Sequence, residues 1–311
     1  MKVVVTGGAG FIGANVCRQL LLAGHQAVAF DDLSTGSAGN LVGIDAPLVE
    51  GSILDPDALD DVLADAGAVV HLAARPSVPR SIADPMASHR VNATGTMEVL
   101  EAVRRAGDAQ VIVASSSSVY GANPGMPKVE DDLVPMPMSP YAASKLATES
   151  YALAHAASFG LGVLAFRFFN VFGPLQPAGH AYAAVVPAFV DAALDGRPLP
   201  VQGDGRQTRD FTFVTTVADV ITDAVSRRVT SDRPVNLAFG SRVSLLELAD
   251  LLGKVLGREL ALEFGPSRTG DVRDTQADQS RLRSLFPDVE PIDLETGLRA
   301  TVDWFRSTAT A

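Results

Sequence analysis

The sequence has a single cysteine, Cys17, among its 311 residues. One thiol excludes an intrachain disulfide. Because Cys17 lies within a predicted helix, we expect a small buried side chain rather than a nucleophile. The five histidines stand at positions 25, 71, 89, 155 and 180, without the spacing of metal ligands. We therefore expect neither a disulfide framework nor a metal site.

Basic residues are also scarce relative to acidic ones, with 25 Lys and Arg against 36 Asp and Glu, for a net charge of −11. This balance argues against nucleic acid or an anionic membrane as the main partner, because both attract basic surfaces. Long apolar runs are missing too. The opening Met1–Thr6 is too short for the apolar core of a signal peptide, and no run approaches a membrane span. We expect a cytoplasmic protein with no membrane partner.

Hydrophobic residues make up 47% of the chain and charged residues 20%, the balance of an ordinary folded protein. In the first half, short apolar runs rich in β-branched residues alternate with helical patterns. This alternation predicts a parallel sheet covered by helices on both faces. The expected strands are Lys2–Thr6, Gln26–Asp31, Ala68–Leu72, Gln110–Ser115 and Val163–Phe168. The expected helices are Phe11–Ala23, Pro56–Ala66, Ser88–Ala106, Pro140–Phe159, Tyr182–Asp195, Val217–Arg227, Ser244–Leu256 and Leu294–Phe305.

A glycine-rich turn, Thr6–Gly13, joins the first predicted strand to the first helix. Gly7 permits a tight turn, Gly10 lets the backbone approach a pyrophosphate, and Gly13 lets the helix pack close to the strand. The N–H groups at the start of that helix attract phosphate. The second strand ends in Asp31, at the distance expected of a carboxylate that binds the adenosine ribose. Because a carboxylate there repels a 2′-phosphate, the pattern predicts NAD rather than NADP.

Two further segments carry candidate chemistry, namely Val111–Gly121, with four consecutive serines, and Ser139–Lys145. On a helix, Tyr141 and Lys145 lie one turn apart on the same face. An ammonium group beside a phenol stabilises the phenolate and so lowers the pKa of the phenol. A phenolate near neutral pH is a competent base toward an alcohol. A serine hydroxyl at the end of a neighbouring strand would orient that alcohol.

In this order along the chain, the motifs resemble those of the extended short-chain dehydrogenase/reductases, and among them the nucleotide-sugar epimerase/dehydratase group. The similarity covers essentially the whole chain. It is carried by TGGAGFIG at Thr6–Gly13, DDLS at Asp31–Ser34, HLAA at His71–Ala74, the serine run through Gly121, SPYAASK at Ser139–Lys145, RFFNVFGP at Arg167–Pro174 and GDGRQTRDFTFV at Gly203–Val214.

The resemblance implies an α/β fold with a Rossmann doubly wound parallel sheet and a smaller mixed C-terminal substrate domain. The sheet domain, residues 1–170 with about 211–238, would bind NAD. Residues 171–210 and 239–311 would bind the nucleotide sugar.

The same resemblance implies roles for individual residues. Tyr141 is the expected acid/base, Lys145 binds the nicotinamide ribose and tunes the tyrosine, and Ser116 assists at the sugar. The other expected cofactor contacts are Gly7, Gly10, Phe11, Ile12, Gly13, Asp31, Asp32, Ser34, Gly36, Ile53, Asp55, Leu72, Ala73, Ala74, Asn92, Ser115 and Phe168. Asp55 has a second interpretation as the N-cap of the helix that begins at Pro56.

Besides Ser116 and Tyr141, the sugar nucleotide is expected to contact Asn170, Val186, Gln202, Arg209, Arg268, Asp271 and Thr275. The resemblance places Arg209 and Arg268 on the diphosphate. Gln202 stands where the family more often has an aromatic residue.

The two residues that follow Ser116 narrow the reaction. Sugar 4,6-dehydratases resemble one another in carrying Asp-Glu there, because water elimination needs an additional acid and base. This chain has Ser117 and Ser118, which disfavours dehydration. Reductases of the group usually prefer NADP, which Asp31 disfavours. The remaining reaction is C4 epimerisation of a UDP-hexose through a 4-keto intermediate.

The identity of the sugar stays open at this point. Thr275 is small at a position where a tyrosine narrows the sugar pocket, and Ser77–Ser81 resembles a segment of epimerases that take N-acetylhexosamines. UDP-glucose with UDP-galactose, their N-acetylated counterparts and UDP-glucuronate all remain candidates. A UDP-glucuronate decarboxylase and a 4-ketosugar reductase are alternatives with the same fold. An NAD-sensing protein without activity is disfavoured, since Ser116, Tyr141 and Lys145 are all present.

Family members usually form homodimers in which two helices of each subunit build a four-helix bundle. The corresponding helices here are Ser88–Ala106 and Pro140–Phe159, both rich in alanine and other small residues. We therefore expect a homodimer.

Overall fold

The computed structural model describes residues 1–178, 183–266 and 272–309. Its strands are β1 Lys2–Thr6, β2 Gln26–Asp31, β3 Leu48–Glu50, β4 Ala68–His71, β5 Gln110–Ser116, β6 Val163–Phe168, β7 Asn170–Phe172, β8 Leu199–Gln202, β9 Thr208–Arg209, β10 Phe211–Phe213, β11 Val235–Leu237, β12 Val243–Ser244 and β13 Leu262–Gly265. Within the described residues, seven of these strands form one sheet in the order β11-β6-β5-β4-β1-β2-β3. All neighbouring strands in it are parallel.

The helices are α1 Phe11–Leu22, α2 Pro56–Leu63, α3 Val78–Ala83, α4 Pro85–His89, α5 Gly95–Ala106, α6 Pro140–Phe159, α7 Val185–Leu194, α8 Val214–Arg227, α9 Leu245–Leu256, α10 Ser280–Leu285 and α11 Leu294–Ala309. A π-helical turn, Arg90–Thr94, joins α4 to α5. No helix in the described ranges has both the length and the apolar character needed to cross a membrane.

Helices cover both faces of the sheet, and β1 shows why. Val3 and Val5 pack into the cluster that contains residues of α1 and α8, whereas Val4 packs into the cluster that contains residues of α2 and α5. All three valines are fully buried, because side chains alternate between the two faces of a strand. The predicted Rossmann sheet is confirmed.

The element boundaries differ from the expected ones in instructive places. The expected helix Ser88–Ala106 begins earlier, at Pro85, because Asp84 caps it through a hydrogen bond from the Ala87 N–H. The expected helix from Val217 begins at Val214. Strands β3 and β11 were not predicted, since each has only three residues. For the helix expected from Tyr182, the described residues begin its first turn at Val185.

The C-terminal part builds its own apolar cluster from α7, β8, β10, α9 and α11. Its strands pair in short ribbons, such as β13 with β8 and β12 with β9. Strand β11 and helix α8, however, belong to the large sheet and its covering layer. The chain therefore crosses from the sheet layer to the C-terminal cluster more than once.

A buried ion pair fastens α6 to the sheet. Arg167 of β6 donates to both carboxylate oxygens of Glu149, with Nε–Oε2 at 2.9 Å and Nη2–Oε1 at 2.6 Å. Ser115 of β5 donates to the same carboxylate at 2.9 Å. Burial lowers the pKa of Arg167, but the paired Glu149 raises it further, so the net shift is upward. The guanidinium also lies 4.7 Å from the ring centroid of Tyr120.

We predict that Glu149→Gln lowers the free energy of unfolding by about 3 kcal/mol, because it leaves the Arg167 charge buried without its counterion. Urea unfolding followed by circular dichroism measures the change. The matched control is Glu295→Gln, which breaks an exposed pair with Arg299 at 2.9 Å and should cost less than ~0.5 kcal/mol. Equal, small losses in the two variants would show that the buried pair is not a stabilising anchor.

Candidate functional site

A cleft of about 1200 Å³ extends from the glycine turn to the C-terminal cluster. It lies beside β1 and β4, which are neighbours in the sheet. The strand that follows β1 lies on one side of this pair and the strand that follows β4 lies on the other, and ligands of doubly wound folds usually bind at such a point. Most of the predicted site residues line it: Gly7, Gly10, Phe11, Ile12, Gly13, Asp31, Asp32, Ser34, Ile53, Leu72, Ala73, Ala74, Ser115, Ser116, Tyr141, Lys145, Phe168, Asn170, Val186, Gln202 and Arg209.

Two predicted cofactor contacts near the adenosine end are absent from this lining. Asp55 accepts hydrogen bonds from the N–H groups of Asp57 and Ala58, at 3.1 and 3.2 Å, and so caps α2. That is the second of its two interpretations. Gly36 lies behind Asp31, since a Cβ atom at Gly36 would come within 3.0 Å of the Asp31 carboxylate.

Asn92 and Thr275 also lie behind the lining. The Asn92 amide accepts from the Arg75 N–H at 2.7 Å and donates to the Ser144 hydroxyl at 2.9 Å, so it holds a loop beside the cleft. Thr275 is 5% exposed, and its hydroxyl accepts a 3.4 Å hydrogen bond from Asn170. Arg268 and Asp271 lie outside the described residues.

The glycine turn has the close contacts that a dinucleotide cradle requires. Gly7 has a φ of +70°, a conformation that favours glycine. A Cβ atom at Gly13 would be 2.1 Å from the Gly7 carbonyl oxygen, so only glycine allows α1 to pack this close. Gly10 begins α1 without a side-chain cap. The first turn of α1, Phe11–Gly13, therefore faces the cleft with its N–H groups, as a pyrophosphate needs.

Asp31 fits the role of a ribose acceptor. Its carboxylate is 7% exposed and accepts 2.9 Å hydrogen bonds from the N–H groups of Ala9 and Leu33, one on each oxygen. Burial raises the pKa of Asp31, while these two hydrogen bonds lower it, and the net shift is upward. Each oxygen keeps a second lone pair for a hydroxyl donor.

Tyr141, Ser116 and Lys145 all line the cleft. Tyr141 and Lys145 lie in the first two turns of α6, whose N-terminus is capped by Ser139. Burial raises the pKa of the Tyr141 phenol, whereas a hydrogen bond with the Ser116 hydroxyl lowers it. Lys145 is 5% exposed, and its Nζ donates to the Ala114 carbonyl at 2.8 Å. Burial lowers the pKa of Lys145 to about 8.

The positive charge of Lys145 affects the pKa of His71 rather than the pKa of the Tyr141 phenol. His71 lies between the hydroxyls of Thr6 and Thr96, at 2.8 and 3.1 Å. Burial, together with the Lys145 charge, lowers the pKa of His71 to about 3. His71 is therefore a neutral hydrogen-bonding link between β1, β4 and α5. That Lys145 lowers the pKa of Tyr141 stays a prediction.

Asp210 joins several loops at the end of the cleft that contains Asn170 and Arg209. It is fully buried, and its carboxylate accepts from the N–H groups of Gly240, Ser241 and Ala277 and from the Ser241 hydroxyl, at 2.9–3.2 Å. Burial raises the pKa of Asp210 to about 6. Its carbonyl oxygen accepts from the Asn170 side chain. One residue therefore joins the loops that flank Asn170 and Arg209.

Arg209 itself is 8% exposed and donates to the Thr208 and Arg273 carbonyls, at 2.9 and 2.8 Å. These bonds fix the guanidinium at the cleft wall, where it can meet an anion.

Several residues of the cleft lining were not predicted by the sequence analysis, among them one arginine and the tryptophan. Arg80 of α3 and Trp304 of α11 both line the cleft. Arg80 lies in the segment Ser77–Ser81, which was singled out without a role for its arginine. Trp304 is the only tryptophan of the chain, but it is far from every recognised motif, so only the fold brings it to the site.

Comparison with known proteins agrees with this geometry. The model of the NAD dependent epimerase/dehydratase family matches residues 3–238. A UDP-glucose 4-epimerase of Mycolicibacterium smegmatis is 38% identical to this chain, over 99% of both chains.

Two solved structures share the fold at similar identity. A UDP-N-acetylglucosamine 4-epimerase from Methanobrevibacter ruminantium, in complex with UDP-N-acetylmuramic acid, has a TM-score of 0.92 and 35% identity, over 99% of this chain and 98% of that one. A UDP-glucuronic acid 4-epimerase from Bacillus cereus, in complex with UDP-glucuronic acid and NAD, has a TM-score of 0.89 and 30% identity, over 99% and 100%. Because the family model matches residues 3–238 and the relatives are matched over nearly their whole length, the chain belongs to the NAD dependent epimerase/dehydratase family.

Proposed function

We propose that the protein catalyses NAD-dependent C4 epimerisation of a UDP-hexose. This proposal rests on the observation that Tyr141, Ser116 and Lys145 line one cleft, which has a dinucleotide turn at one end and Arg209 at the other. In this function the glycine turn and Asp31 hold NAD, and Arg209 together with Arg268 holds the diphosphate. We propose that residues 1–170 with about 211–238 bind NAD and that the remainder of the chain binds the nucleotide sugar.

The chain's own residues supply proton transfer and orientation. NAD held by the glycine turn and Asp31 would supply reversible hydride exchange at C4 of the sugar, with no net redox over the whole reaction. Tyr141, as phenolate, removes the proton of the C4 hydroxyl as the C4 hydride leaves, so that the sugar becomes a 4-keto sugar, and Tyr141 returns the proton to the C4 oxygen when hydride is restored to C4. The Ser116 hydroxyl donates to the C4 oxygen or to the phenolate and so fixes their distance. Ser117 and Ser118 provide no carboxylate for water elimination.

Tyr141 in its neutral form cannot begin this reaction, so its pKa decides the activity at acidic pH. Burial raises that pKa and the hydrogen bond with Ser116 lowers it. A phenol with a raised pKa loses its base form as the pH falls, and the rate should fall on the acid side of the profile. A cation beside the phenol, as proposed for Lys145, opposes the effect of burial.

For the sugar, we infer a UDP-hexose of the glucose/galactose type, with room for an N-acetyl group. The named UDP-glucose 4-epimerase at 38% identity supports the first part. The UDP-N-acetylglucosamine 4-epimerase with a TM-score of 0.92 supports the second. Thr275 is the residue proposed to leave this room, acting through Asn170, which its hydroxyl contacts.

A second candidate is a UDP-uronate 4-epimerase, and Arg80 favours it. The Arg80 guanidinium lines the cleft and, among the described residues, has neither an ion pair nor a side-chain hydrogen bond. Its neighbour Ser81 accepts a hydrogen bond from the Tyr141 N–H at 3.0 Å, which puts Arg80 close to the acid/base. A partly buried guanidinium without a counterion suits a carboxylate ligand. UDP-glucuronate carries such a carboxylate on its sugar.

We also propose a cytoplasmic homodimer that is built through α5 and α6. These helices pack against each other, and the exposed faces of α6 include Tyr151 and Phe159, which are 42% and 56% exposed. Exposed aromatic residues on a helix pair are typical of an interface.

The first test incubates the purified protein separately with UDP-galactose, UDP-N-acetylgalactosamine and UDP-glucuronate, without added cofactor, and separates the products by chromatography. We expect conversion of at least one of them to its C4 epimer. Tyr141→Phe should lower kcat by roughly 10²–10⁴-fold and leave the bound NAD in place, because it removes only the proton-transferring group. If none of the sugars is converted even with added NAD, the epimerase proposal fails.

The second test asks whether Arg80 recognises a sugar carboxylate. Arg80→Gln should lower kcat/KM for UDP-glucuronate by about 10–100-fold, the usual worth of a charge-assisted hydrogen bond, and change kcat/KM for UDP-glucose by less than about threefold. Arg75→Gln is the control, because Arg75 lies outside the cleft lining and only approaches Asp84 at 4.0 Å. Equal losses with both sugars would show that Arg80 does not select an acidic sugar.

The oligomeric state is measured by light scattering coupled to size-exclusion chromatography. The wild type should give twice the mass of one chain. Phe159→Glu should shift the population to the monomer, since it places a charge on the proposed interface, whereas Phe264→Glu, at an exposed phenylalanine of β13, should not. A monomeric wild type would refute the dimer.

A further inference from the structure

Ser118 contacts Ser116, the proposed catalytic serine, from the side away from the cleft. Its backbone N–H donates to the Ser116 hydroxyl oxygen at 3.2 Å, and its own hydroxyl donates to the same oxygen at 2.9 Å. The contact arises because Ser116 caps the short 3₁₀ helix Ser117–Tyr120 that follows β5. Ser118 is half-buried and does not line the cleft, whereas Ser116 does.

These two contacts fix the direction in which Ser116 donates. A hydroxyl oxygen has two lone pairs and one hydrogen. The N–H and O–H groups of Ser118 occupy both lone pairs, so the Ser116 hydrogen is left for another acceptor. The Tyr141 phenol lines the same cleft as Ser116, and the interaction with Ser116 lowers the pKa of that phenol. The observed donation runs from Ser118 to Ser116, and the acceptor that it leaves for the Ser116 hydrogen is the Tyr141 oxygen.

We propose that Ser118 is a positioning residue that makes Ser116 a donor to the Tyr141 oxygen and thereby favours the phenolate. The inference rests on the proposed function for its effect on catalysis, although the hydrogen-bond order itself does not. Donation along a chain of hydroxyl groups strengthens each bond, because each oxygen that accepts becomes a better donor. Without the Ser118 hydroxyl, a lone pair of Ser116 becomes free and Ser116 can accept from a neutral phenol instead.

The charged and titratable groups on the elements around Tyr141 do not replace this contact. Lys145 of α6 donates to Ala114, and Glu149 of α6 is paired with Arg167 of β6. His71 of β4 is neutral, because burial lowers its pKa to about 3.

Arg80 of α3 lines the same cleft and, among the described residues, makes no hydrogen bond with Ser116 or Ser118. His89 of α4 and Arg90 of the π-helical turn are exposed to solvent. On α5, which also packs against α6, Glu101 is paired with Arg104.

Ser117 provides a matched control. It is the adjacent residue in the same 3₁₀ helix and is half-buried like Ser118, but its hydroxyl makes no hydrogen bond within the described residues. Truncating either serine to alanine removes one hydroxyl group from the same turn. Only Ser118→Ala removes a donor to Ser116.

The experiment titrates the Tyr141 phenol directly, by ultraviolet difference absorbance of tyrosinate against pH. The chain has four tyrosines, so subtraction of the Tyr141→Phe signal isolates Tyr141. In Ser118→Ala the apparent pKa of Tyr141 should rise by about half a unit to one unit, as expected for one lost hydroxyl contact. Ser118→Thr should restore the wild-type value, and Ser117→Ala should leave it unchanged. An unaltered titration in Ser118→Ala would overturn the proposal, whatever the enzyme's activity.

The pH profile of kcat, with the UDP-sugar that the wild type converts, gives the catalytic consequence. Ser118→Ala should lower kcat roughly threefold to tenfold at neutral pH, shift the acid limb upward in pH and leave KM nearly unchanged. A merely structural role would change KM and the thermal midpoint without moving the acid limb. If the wild type converts no sugar, the proposed function fails, and the phenol titration still decides the role of Ser118.

Discussion

The buried pair between Glu149 and Arg167 is the constraint on which the arrangement of the site depends. Helix α6 carries Tyr141 and Lys145 near its start, but a helix packed only by small apolar side chains can slide along a sheet. The two-point contact of Arg167 with Glu149 sets the register of α6 against β6, and the Ser115 hydroxyl ties the same carboxylate to β5. Ser116, the next residue of β5, is thereby placed against the face of α6 that carries the tyrosine.

A second constraint joins the two halves of the cleft. Asn170 and Arg209 belong to segments that follow the sheet, and loops at Gly240 and Ala277 would be free to separate from them. Asp210 gathers these loops around one carboxylate that receives four hydrogen bonds. Because an unpaired carboxylate would be costly to bury, the loops and Asp210 stabilise one another. The end of the cleft that contains Asn170 and Arg209 is thus assembled largely by backbone N–H groups that donate to one carboxylate.

The amino-acid sequence was sufficient for five of the seven strands of the sheet, because their signals are local. The apolar runs of β1, β2, β4, β5 and β6 and the glycine turn are readable from neighbouring residues alone. Strand β11 was not predictable, because three residues are too few to show a periodic pattern. Its pairing with β6 also joins segments that are far apart in the sequence. The same reason explains the missed Trp304 and Arg80, whose approach to the cleft depends on where α11 and α3 pack. Asp55 shows the opposite case, in which a local capping pattern competed with a family role.

Cys17 has a practical consequence for studying this molecule. Its side chain is fully buried in α1, and burial raises the pKa of its thiol to about 12. Alkylating reagents attack the thiolate, so the native thiol should be inert at neutral pH while the chain is folded. A cysteine introduced on the surface would then be the one reactive site for a fluorophore or spin label. The protein can therefore be labelled at a chosen position without first removing its natural cysteine.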